Sequence, residues 1–377
     1  MQDVTTRAFL RLIAQYGAPD YFVTEYFRVH ETSRPEAHIL ASIADMPGPP
    51  SALESWTLDT PPTAKAFEGA FAAEVDLPLS PATGRPVFAQ LIGEHIFHIE
   101  RTIEALKPWP IAGIDLNLGC PAPKVYKKNV GGGLLREPRR LAEILSAMRA
   151  ACGEGLLTVK MRVGFADWVH YDELLAVVAD SGADLVCVHG RTVKEMYRSA
   201  VHYDLIARAV EALPVPVMAN GDITSVRKAA EILTETAAAG IMAGRHAIRN
   251  PWLFRQLHQW RADQAVFRPT LADVRRYIDD LWAAAEHPAK RDQYRLSYMK
   301  KFLNFVAQSV EPSGGFLREM RRAQEPTEMW QVCDRWLVHN GRADTPFAAE
   351  PYPNIIARPN AEAPLESEAC GLGVETA

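Results

Sequence analysis

The chain has 377 residues, of which 48% are hydrophobic and 23% charged, and its formal net charge at pH 7 is −5. These values are ordinary for a soluble globular protein with room for one large domain and a smaller one. No stretch reaches about 18 apolar residues, so no membrane span is expected. The five cysteines form no CxxC pair, which argues against structural disulfides and a thiolate zinc site and predicts a reducing, cytoplasmic location.

The charge is distributed unevenly along the chain. Residues 1–244 hold 23 basic and 29 acidic side chains, whereas residues 245–342 hold 17 and 11. A basic segment on an acidic chain favours docking of a polyanionic partner, although solvated Arg and Lys on helices would give the same composition. Residues 343–377 are rich in Pro, Ala and Glu and are predicted to be disordered.

The chain opens on an amphipathic helix over residues 5–16, which a strand at residues 21–24 follows. Residues 47–86 are rich in Pro, Ala and Ser and are predicted to form a long insertion loop. From residue 87 onward, short apolar strands alternate with amphipathic helices, which is the pattern of a parallel sheet covered by helices. These strands are predicted over residues 87–91, 114–118, 157–161, 185–188, 215–219 and 240–243.

Together these elements predict a (β/α)8 TIM barrel over residues 1–246 in which seven of the eight strands are present. The missing first strand would precede the opening helix, so we expect the true start to lie upstream of Met1; a barrel closed in another way is the alternative. Residues 247–342 lose the strand signals. Helices over residues 274–285, 295–310 and 327–338 predict an all-helical C-terminal domain there.

Residues capable of chemistry stand at or just after the C-terminal ends of six predicted strands. They are Gln90, Asn117 with Cys120, Lys160 with Arg162, His189 with Arg191, Asn220 with Asp222, and Gly244 with Arg245. In a barrel these positions converge on the face where active sites are built. The last two loops each lead into a helix, so their backbone N–H groups and Arg245 predict a phosphate site.

The central motif is GIDLNLGCPAPKVYKKNVGGG, residues 113–133. Its Cys120 stands in a turn at the end of a strand, before Lys124, Lys127, Lys128 and three glycines. A thiol whose pKa is tuned by nearby cations can act as a nucleophile or a general acid. A free cysteine is, however, usually a small packing residue. The three lysines either contact an anionic substrate or are solvated.

Basic and aromatic residues alternate on one predicted helix of the C-terminal domain. The basic residues are Arg295, Lys300 and Lys301, and the aromatic residues are Tyr294, Tyr298 and Phe302. Such a surface could hold an RNA backbone. The alternative places the aromatic side chains in the domain core. We expect Tyr298 and Phe302 in the core and the basic side chains exposed.

The chain resembles the tRNA-dihydrouridine synthase family in motifs that follow the family's order between Met1 and Trp252. These motifs are MQDVTTRAF, VTEYFRV, AQLIG, GIDLNLGCPAPKV, GGGLL, TVKMRVGF, VHGRT, VMANGDI and MAGRHAIRNPW. The resemblance implies an FMN-bearing barrel, NADPH as reductant and a helical domain that helps to clamp tRNA. Reduced flavin would pass hydride to C6 of a uracil that has left its stack, while Cys120 protonates C5.

The resemblance also implies roles for individual residues. Gln90 and Lys160 would meet the flavin ring, and His189 would lie beside it or serve packing. Ribityl and phosphate would be bound by Asn220, Gly221, Asp222, Gly244 and Arg245. The family's first strand ends in Ala-Pro-Met, of which Met1 alone is present as a flavin contact. The residues implied for contact with uracil or tRNA are Asn117, Arg162, Arg295, Lys301 and Arg28. The VTEYFRV motif with Arg28, together with the triple glycine, is most similar to the corresponding motifs of the bacterial branch that modifies uridine 16.

Two other functions fit parts of the sequence. One is an FMN barrel oxidoreductase acting on a free pyrimidine, as in dihydropyrimidine or dihydroorotate dehydrogenases, which leaves the basic helical segment unexplained. The other is a non-catalytic tRNA-binding protein with a truncated barrel, against which the intact Cys120, Lys160 and Arg245 argue. We expect a monomer that works without metal or membrane.

Overall fold

A parallel sheet organises the first two thirds of the chain. The computed structural model describes residues 4–44, 63–65, 76–285 and 292–362. The sheet contains β1 (Phe22–Val23), β2 (Phe27–Arg28), β5 (Val87–Ile92), β6 (Gly113–Leu118), β7 (Leu156–Arg162), β8 (Leu185–His189), β9 (Val217–Asn220) and β10 (Gly240–Met242). A separate antiparallel pair, β3 (Thr63–Lys65) and β4 (Asp76–Pro78), lies within the predicted insertion.

The sheet has seven strand positions, because β1 and β2 share one edge of β5. Phe22 pairs with Val87, and Phe27 pairs with Leu91 farther along the same strand. From β5 the order is β6, β7, β8, β9 and β10, and every neighbouring pair is parallel. All seven predicted strands are therefore confirmed, and they form a seven-stranded half-barrel of the TIM type. The contact predicted for Met1 lies outside the described residues.

Amphipathic helices follow the strands and pack against the sheet. They are α1 (Arg7–Gly17), α2 (Ala37–Ala44), α3 (Ile96–Leu106), α4 (Pro123–Tyr126), α5 (Pro138–Cys152), α6 (Tyr171–Ala179), α7 (Tyr203–Ala212), α8 (Val226–Thr236) and α9 (Arg245–Arg249). The opening helix is capped by Thr6, whose hydroxyl accepts a hydrogen bond from the backbone N–H of Phe9 at 3.4 Å. Its buried face carries Leu12 and Ile13.

The C-terminal region is helical, as predicted. It comprises α10 (Leu253–Arg261), α11 (Leu271–Ala284), α12 (Asp292–Val306), α13 (Gly315–Arg322) and α14 (Pro326–Leu337). The predicted division between residues 246 and 247 falls inside α9. The region packs on the opening helix, because the rings of Phe9 and Phe302 lie 5.3 Å apart and those of Tyr16 and Tyr277 lie 5.4 Å apart. The two parts share one apolar core.

Residues 343–362 form a C-terminal strap across this helical region, which differs from the predicted disorder. The backbone N–H of Phe347 donates to the carbonyl of Pro269 at 2.8 Å, and that of Tyr352 donates to Gln308 at 2.7 Å. Phe347 and Ile355 are buried. The composition could not show this, because a few spaced apolar side chains anchor an otherwise polar segment. The strap ends in α15 (Pro359–Glu362), and residues 363–377 of the predicted tail lie outside the described residues.

Candidate active site

The strand register brings the predicted polar residues to one mouth of the half-barrel. Side chains alternate along a strand, so residues two apart share a face. Asn117 is paired with Lys160, and His189 is paired with Asn220. The Lys160 ammonium donates to Asn220 Oδ1 at 3.0 Å. Deeper on the same face, the apolar side chains of Phe88, Leu156, Leu185, Cys187 and Met218 form a cluster of their own.

A chain of hydrogen bonds crosses β5, β6 and β7 beneath the mouth. Thr158 and Gln90 donate to the two oxygens of Asp115 at 2.6 and 2.7 Å. Asn117 donates to Gln90 Oε1 at 2.8 Å. The Asn117 oxygen in turn accepts the backbone N–H groups of Gly119 and Cys120, each at 3.0 Å. The turn that carries the thiol is thus held by side chains from inside the barrel.

Cys120 is a partly buried, unpaired thiol against the triple glycine. A Cβ on Gly131 would lie 2.9 Å from Ile92 Cδ1, and a Cβ on Gly132 would lie 2.9 Å from the Cys120 carbonyl oxygen. Gly131 also has φ +57°, which favours glycine. Gly131 and Gly132 therefore let the 3₁₀ turn Gly131–Arg136 pack closely against Cys120, whereas a Cβ on Gly133 would meet the Tyr126 carbonyl oxygen instead.

Tyr26 lies beside the thiol. Burial, together with the proximity of Cys120, raises the pKa of Tyr26 to about 12, despite an opposing effect of Arg28. The phenol is therefore neutral and can share a hydrogen bond with the thiol. Arg28 itself is exposed at this rim, and its guanidinium lies 5.9 Å from the Tyr26 ring centre.

Arg162 braces two loops. Its side chain is 2% exposed. It donates through Nε to the carbonyl of Gly119 at 2.9 Å and through Nη1 to the carbonyls of Thr192 and Met196, both at 2.8 Å. Burial lowers its pKa to about 10, so it remains a cation at neutral pH. Most of its donors are used by the protein, which makes it a support for the mouth.

The predicted phosphate end is built around Asp222. Arg191 binds both of its carboxylate oxygens, and Arg245 donates to Oδ1 at 3.2 Å. Burial raises the pKa of Asp222, but the bond and charge of Arg191 outweigh it and hold the pKa below its usual range. Arg245 also donates to Glu362 at 2.6 Å and lies 4.0 Å above the ring of Tyr197.

His189 is buried and neutral. Burial, followed by the cations Arg162 and Lys160, holds its pKa well below its usual value. Its Nδ1 atom is buried and has no hydrogen-bond partner among the described residues. A buried nitrogen without a partner is costly, so the site suits a polar ligand beside this ring.

Comparison with known proteins identifies the family. Residues 1–340 match the family model of dihydrouridine synthases. The chain belongs to this family. The resemblance seen in the sequence is thus confirmed, and with it the relation to tRNA-modifying oxidoreductases with a TIM-barrel fold.

Individual known proteins align with parts of this chain. A probable tRNA-dihydrouridine synthase of Helicobacter pylori is 39% identical over 171 residues, which is 45% of this chain and 52% of its own. The chain thus spans about half of that relative. The tRNA-dihydrouridine(16) synthase of Ralstonia nicotianae is 31% identical over 70% of this chain and 81% of its own. The old yellow enzyme homologue of Zymomonas mobilis is 12% identical over 70% of this chain and 85% of its own, with a TM-score of 0.45.

The residues implied for tRNA contact differ in their surroundings. Lys301 is exposed on α12, as predicted. Arg295 instead packs 4.0 Å above the ring of Trp282 and donates to the Trp282 carbonyl at 2.9 Å. Phe302 is buried in the core, as predicted, and Tyr298 packs partly buried against it at 4.8 Å. Lys301 is therefore the better candidate for an RNA contact.

Sequence reasoning missed several residues of this candidate site. Asp115 was within the quoted motif, and its position two residues before Asn117 on one strand could have placed it on the inner face. Tyr26 lies in the VTEYFRV motif two residues before Arg28, so that motif could have indicated it. Nothing in the sequence indicated Tyr197 or Glu362, because each reaches the site by folding from a distant segment. Among the described residues, no acidic, His or Cys cluster could hold a metal ion, and no helix could span a membrane.

Proposed function

We propose that this protein is an FMN- and NADPH-dependent tRNA-dihydrouridine synthase that reduces the C5–C6 double bond of a tRNA uridine. The observation that carries the proposal is the convergence of Gln90, Asn117, Lys160 and His189 with the partly buried thiol of Cys120 at one barrel mouth. Family membership supports the reaction class. When bound, a reduced flavin would supply the hydride for C6.

The residues present fit a flavin. Among the described residues, His189 Nδ1 is buried without a hydrogen-bond partner and offers a polar contact, and Lys160 offers a cation that only Asn220 engages in a hydrogen bond. Gln90 and Lys160 would hold the ring. The ribityl chain and the phosphate would be bound by Asn220, Gly221, Asp222, Gly244 and Arg245. Met1 would be a further flavin contact. The phosphate would meet Arg245, which now binds Glu362.

The side chains can carry the remaining steps. A uracil must leave its stack to enter the mouth, where the edge of the ring comes near Asn117 and the loops that Arg162 braces. Hydride addition at C6 places negative charge on the ring, which the Lys160 ammonium can stabilise. The Cys120 thiol then gives its proton to C5, and Tyr26 beside it keeps the donor oriented.

In this proposal residues 1–246 bear the flavin, residues 247–342 bind tRNA, and the protein acts as a cytoplasmic monomer. Uridine 16 is the first position to test, because Arg28 is exposed at the rim and the Ralstonia nicotianae relative is named for that position.

The decisive experiment combines the purified chain with FMN, NADPH and unmodified tRNA, and measures dihydrouridine by mass spectrometry of nucleosides. We expect a flavin spectrum and dihydrouridine at one uridine. Reduction of free uracil or orotate without any need for tRNA would instead indicate a free-pyrimidine oxidoreductase. A colourless protein that still binds tRNA would indicate the non-catalytic alternative.

The exposed cation on α12 gives a separate prediction for tRNA docking. Lys301→Ala should weaken tRNA binding about threefold at low salt and reduce the slope of log Kd against log salt by about 1, because one phosphate contact is lost. Filter binding at several salt concentrations measures this.

Lys107→Ala is the matched control, since Lys107 is exposed and pairs with Glu104 at the opposite end of the barrel from the mouth. An unchanged slope for Lys301→Ala would remove α12 from the docking surface. Arg295→Ala is expected to reduce stability as well, because it exposes the face of Trp282.

A further inference from the structure

The hydrogen-bond chain beneath the mouth has a fixed direction. The backbone N–H groups of Gly119 and Cys120 can only donate, so Asn117 must turn its oxygen towards them. Its amide nitrogen then faces Gln90 Oε1, which leaves Gln90 Nε2 facing Asp115. A carboxylate can only accept, so both ends of the chain demand the same direction.

Burying the carboxylate of Asp115 at this position costs free energy of folding. It is 2% exposed, and no cation is bonded to it among the described residues. Burial raises its pKa to about 6, although bonds from Thr158 and Gln90 oppose this. The charged or titratable groups that face it are Lys160 on β7, Cys187 on β8 and Tyr21 beside β1. An apolar or amide residue would fill this position at lower cost, which points to a functional reason.

We propose that Asp115 is a positioning residue whose carboxylate anchors the far end of the chain through Gln90 and Asn117 and thereby holds the Cys120 turn. The proposal rests on the proposed function, because it assigns the purpose of the chain to the proton donor. It also determines which group Gln90 offers at the mouth: the second N–H of its amide remains for a ligand, and its oxygen does not.

The test measures alkylation of Cys120 by iodoacetamide, with peptide mass spectrometry to separate it from other cysteines, in the full chain as isolated. Asp115→Asn keeps the volume but replaces a charged acceptor with a neutral amide, so the bond from Gln90 Nε2 weakens although the Gly119 and Cys120 N–H groups still fix its direction. The ratio compares the Cys120 rates of variant and wild type per thiolate, taken from each pH–rate profile, because loss of the carboxylate charge also changes the ionisation of the thiol. We expect a ratio above about 3 at pH 8.

The pH dependence separates positioning from packing. As the pH falls through about 6, the wild-type carboxyl becomes protonated and loses the charge that strengthens the bond from Gln90, so the ratio should return towards one. A ratio of one at every pH, or a constant ratio at every pH, would overturn the proposal. Neither flavin nor RNA takes part, so this result does not depend on whether the enzyme turns over.

Thr158→Val is the matched control. It removes the bond to the other Asp115 oxygen and leaves the path through Gln90 intact. The Cys120 rate at pH 8 should stay within about twofold of the wild type, while the midpoint of the pH dependence rises, because the Thr158 bond lowers the pKa of Asp115. A large change in rate at pH 8 in this variant would show that any loosening of Asp115 disturbs the turn.

The strap carries a second, independent observation. Glu362 and Arg245 form an ion pair at 2.6 Å in which the side chains are 11% and 14% exposed. The strap is held nearby, since Arg198 donates to the carbonyl of Asn360 at 2.9 Å and the backbone N–H of Arg358 donates to Glu362 at 3.1 Å. A carboxylate therefore binds the arginine that the proposed phosphate site needs.

We infer that Glu362 is a competing anion, which a ligand phosphate must displace from Arg245. A protein whose binding site is open for only part of the time binds its ligand with an apparent Kd equal to the intrinsic Kd divided by the open fraction. This inference rests on the proposed flavin site. It predicts that the strap weakens binding of a phosphorylated flavin and has no effect on a flavin without phosphate.

The test is a fluorescence titration of flavin-free protein with FMN and with riboflavin. Glu362→Gln should bind FMN about tenfold more tightly and riboflavin within about twofold of the wild type. Glu350→Gln is the control on the same strap, since Glu350 bonds Ser225 and Arg227 and not Arg245. Equal gains for both flavins, or no gain for FMN, would overturn the inference. If no form binds either flavin, the proposed function fails with it.

Discussion

Cys120→Ala should lower dihydrouridine formation about 10²- to 10⁴-fold, the usual range for loss of a general acid. The thiol is the proton donor that the proposal assigns, and it is partly buried beside Tyr26, whose raised pKa makes it a poor substitute at neutral pH. Flavin binding and reduction of the flavin by NADPH should persist, because neither step uses this proton. Stopped-flow spectra separate the reduction of the flavin from its reoxidation by tRNA.

The control for this prediction is Cys152→Ala. Cys152 is also a partly buried unpaired thiol, but it lies at the end of α5, and burial raises its pKa to about 11. Its removal should leave turnover unchanged. If Cys120→Ala formed dihydrouridine at the wild-type rate, the proposed mechanism would be wrong. If it also lost flavin, the turn would have a binding role instead.

The sequence predicted the framework of the site because the framework depends on local patterns. Short apolar strands and amphipathic helices repeat with clear periods, and the residue after each strand end is fixed by fold geometry. Gln90, Lys160, His189 and Asn220 therefore lie on the strands where the sequence predicts them, and their contacts with a flavin stay predictions. The register that pairs Asn117 with Lys160 then follows from the parallel order of the strands.

The surroundings of these residues depend on contacts between distant segments, which periodicity does not encode. Arg162 was expected at the substrate, yet carbonyls of two loops occupy most of its donors. Arg295 was expected to be exposed, yet it packs on Trp282. The strap brings Glu362 to Arg245 across 117 positions of the chain. In each case a polar side chain binds a partner that local sequence patterns do not predict.

Arg249 shows how strongly the strap and the barrel are joined. Its side chain is fully buried, with 0% exposure. It donates to Thr224 of the barrel, to Ser309 of the helical region, and to the carbonyls of Ala348 and Ala349 on the strap at 3.2 and 2.9 Å. Burial lowers its pKa to about 10, which leaves it charged at neutral pH. One side chain thus satisfies acceptors from three separate parts of the chain.

Arg249→Met should lower the free energy of unfolding by about 3–5 kcal/mol, because the thioether fills the space of the stem and leaves buried acceptors without donors. Urea unfolding at pH 7, followed by tryptophan fluorescence, measures the change. Limited proteolysis should in addition cut the strap faster in this variant than in the wild type, because two of the lost bonds hold the strap.

Arg249→Lys tests whether charge alone suffices. Lysine keeps the charge, but its single nitrogen cannot span acceptors on three segments, so the expected loss lies between those of wild type and Arg249→Met. Arg276→Met is the surface control, since Arg276 is 73% exposed and its removal should change stability by about 0.5 kcal/mol or less. A loss below about 1 kcal/mol for Arg249→Met would mean that the strap and the barrel are joined chiefly by their apolar contacts. Release of Arg245 from Glu362 would then need only local movement of α15. A large loss of unfolding free energy would instead mean that the Arg249 bonds hold the whole strap against displacement of Glu362.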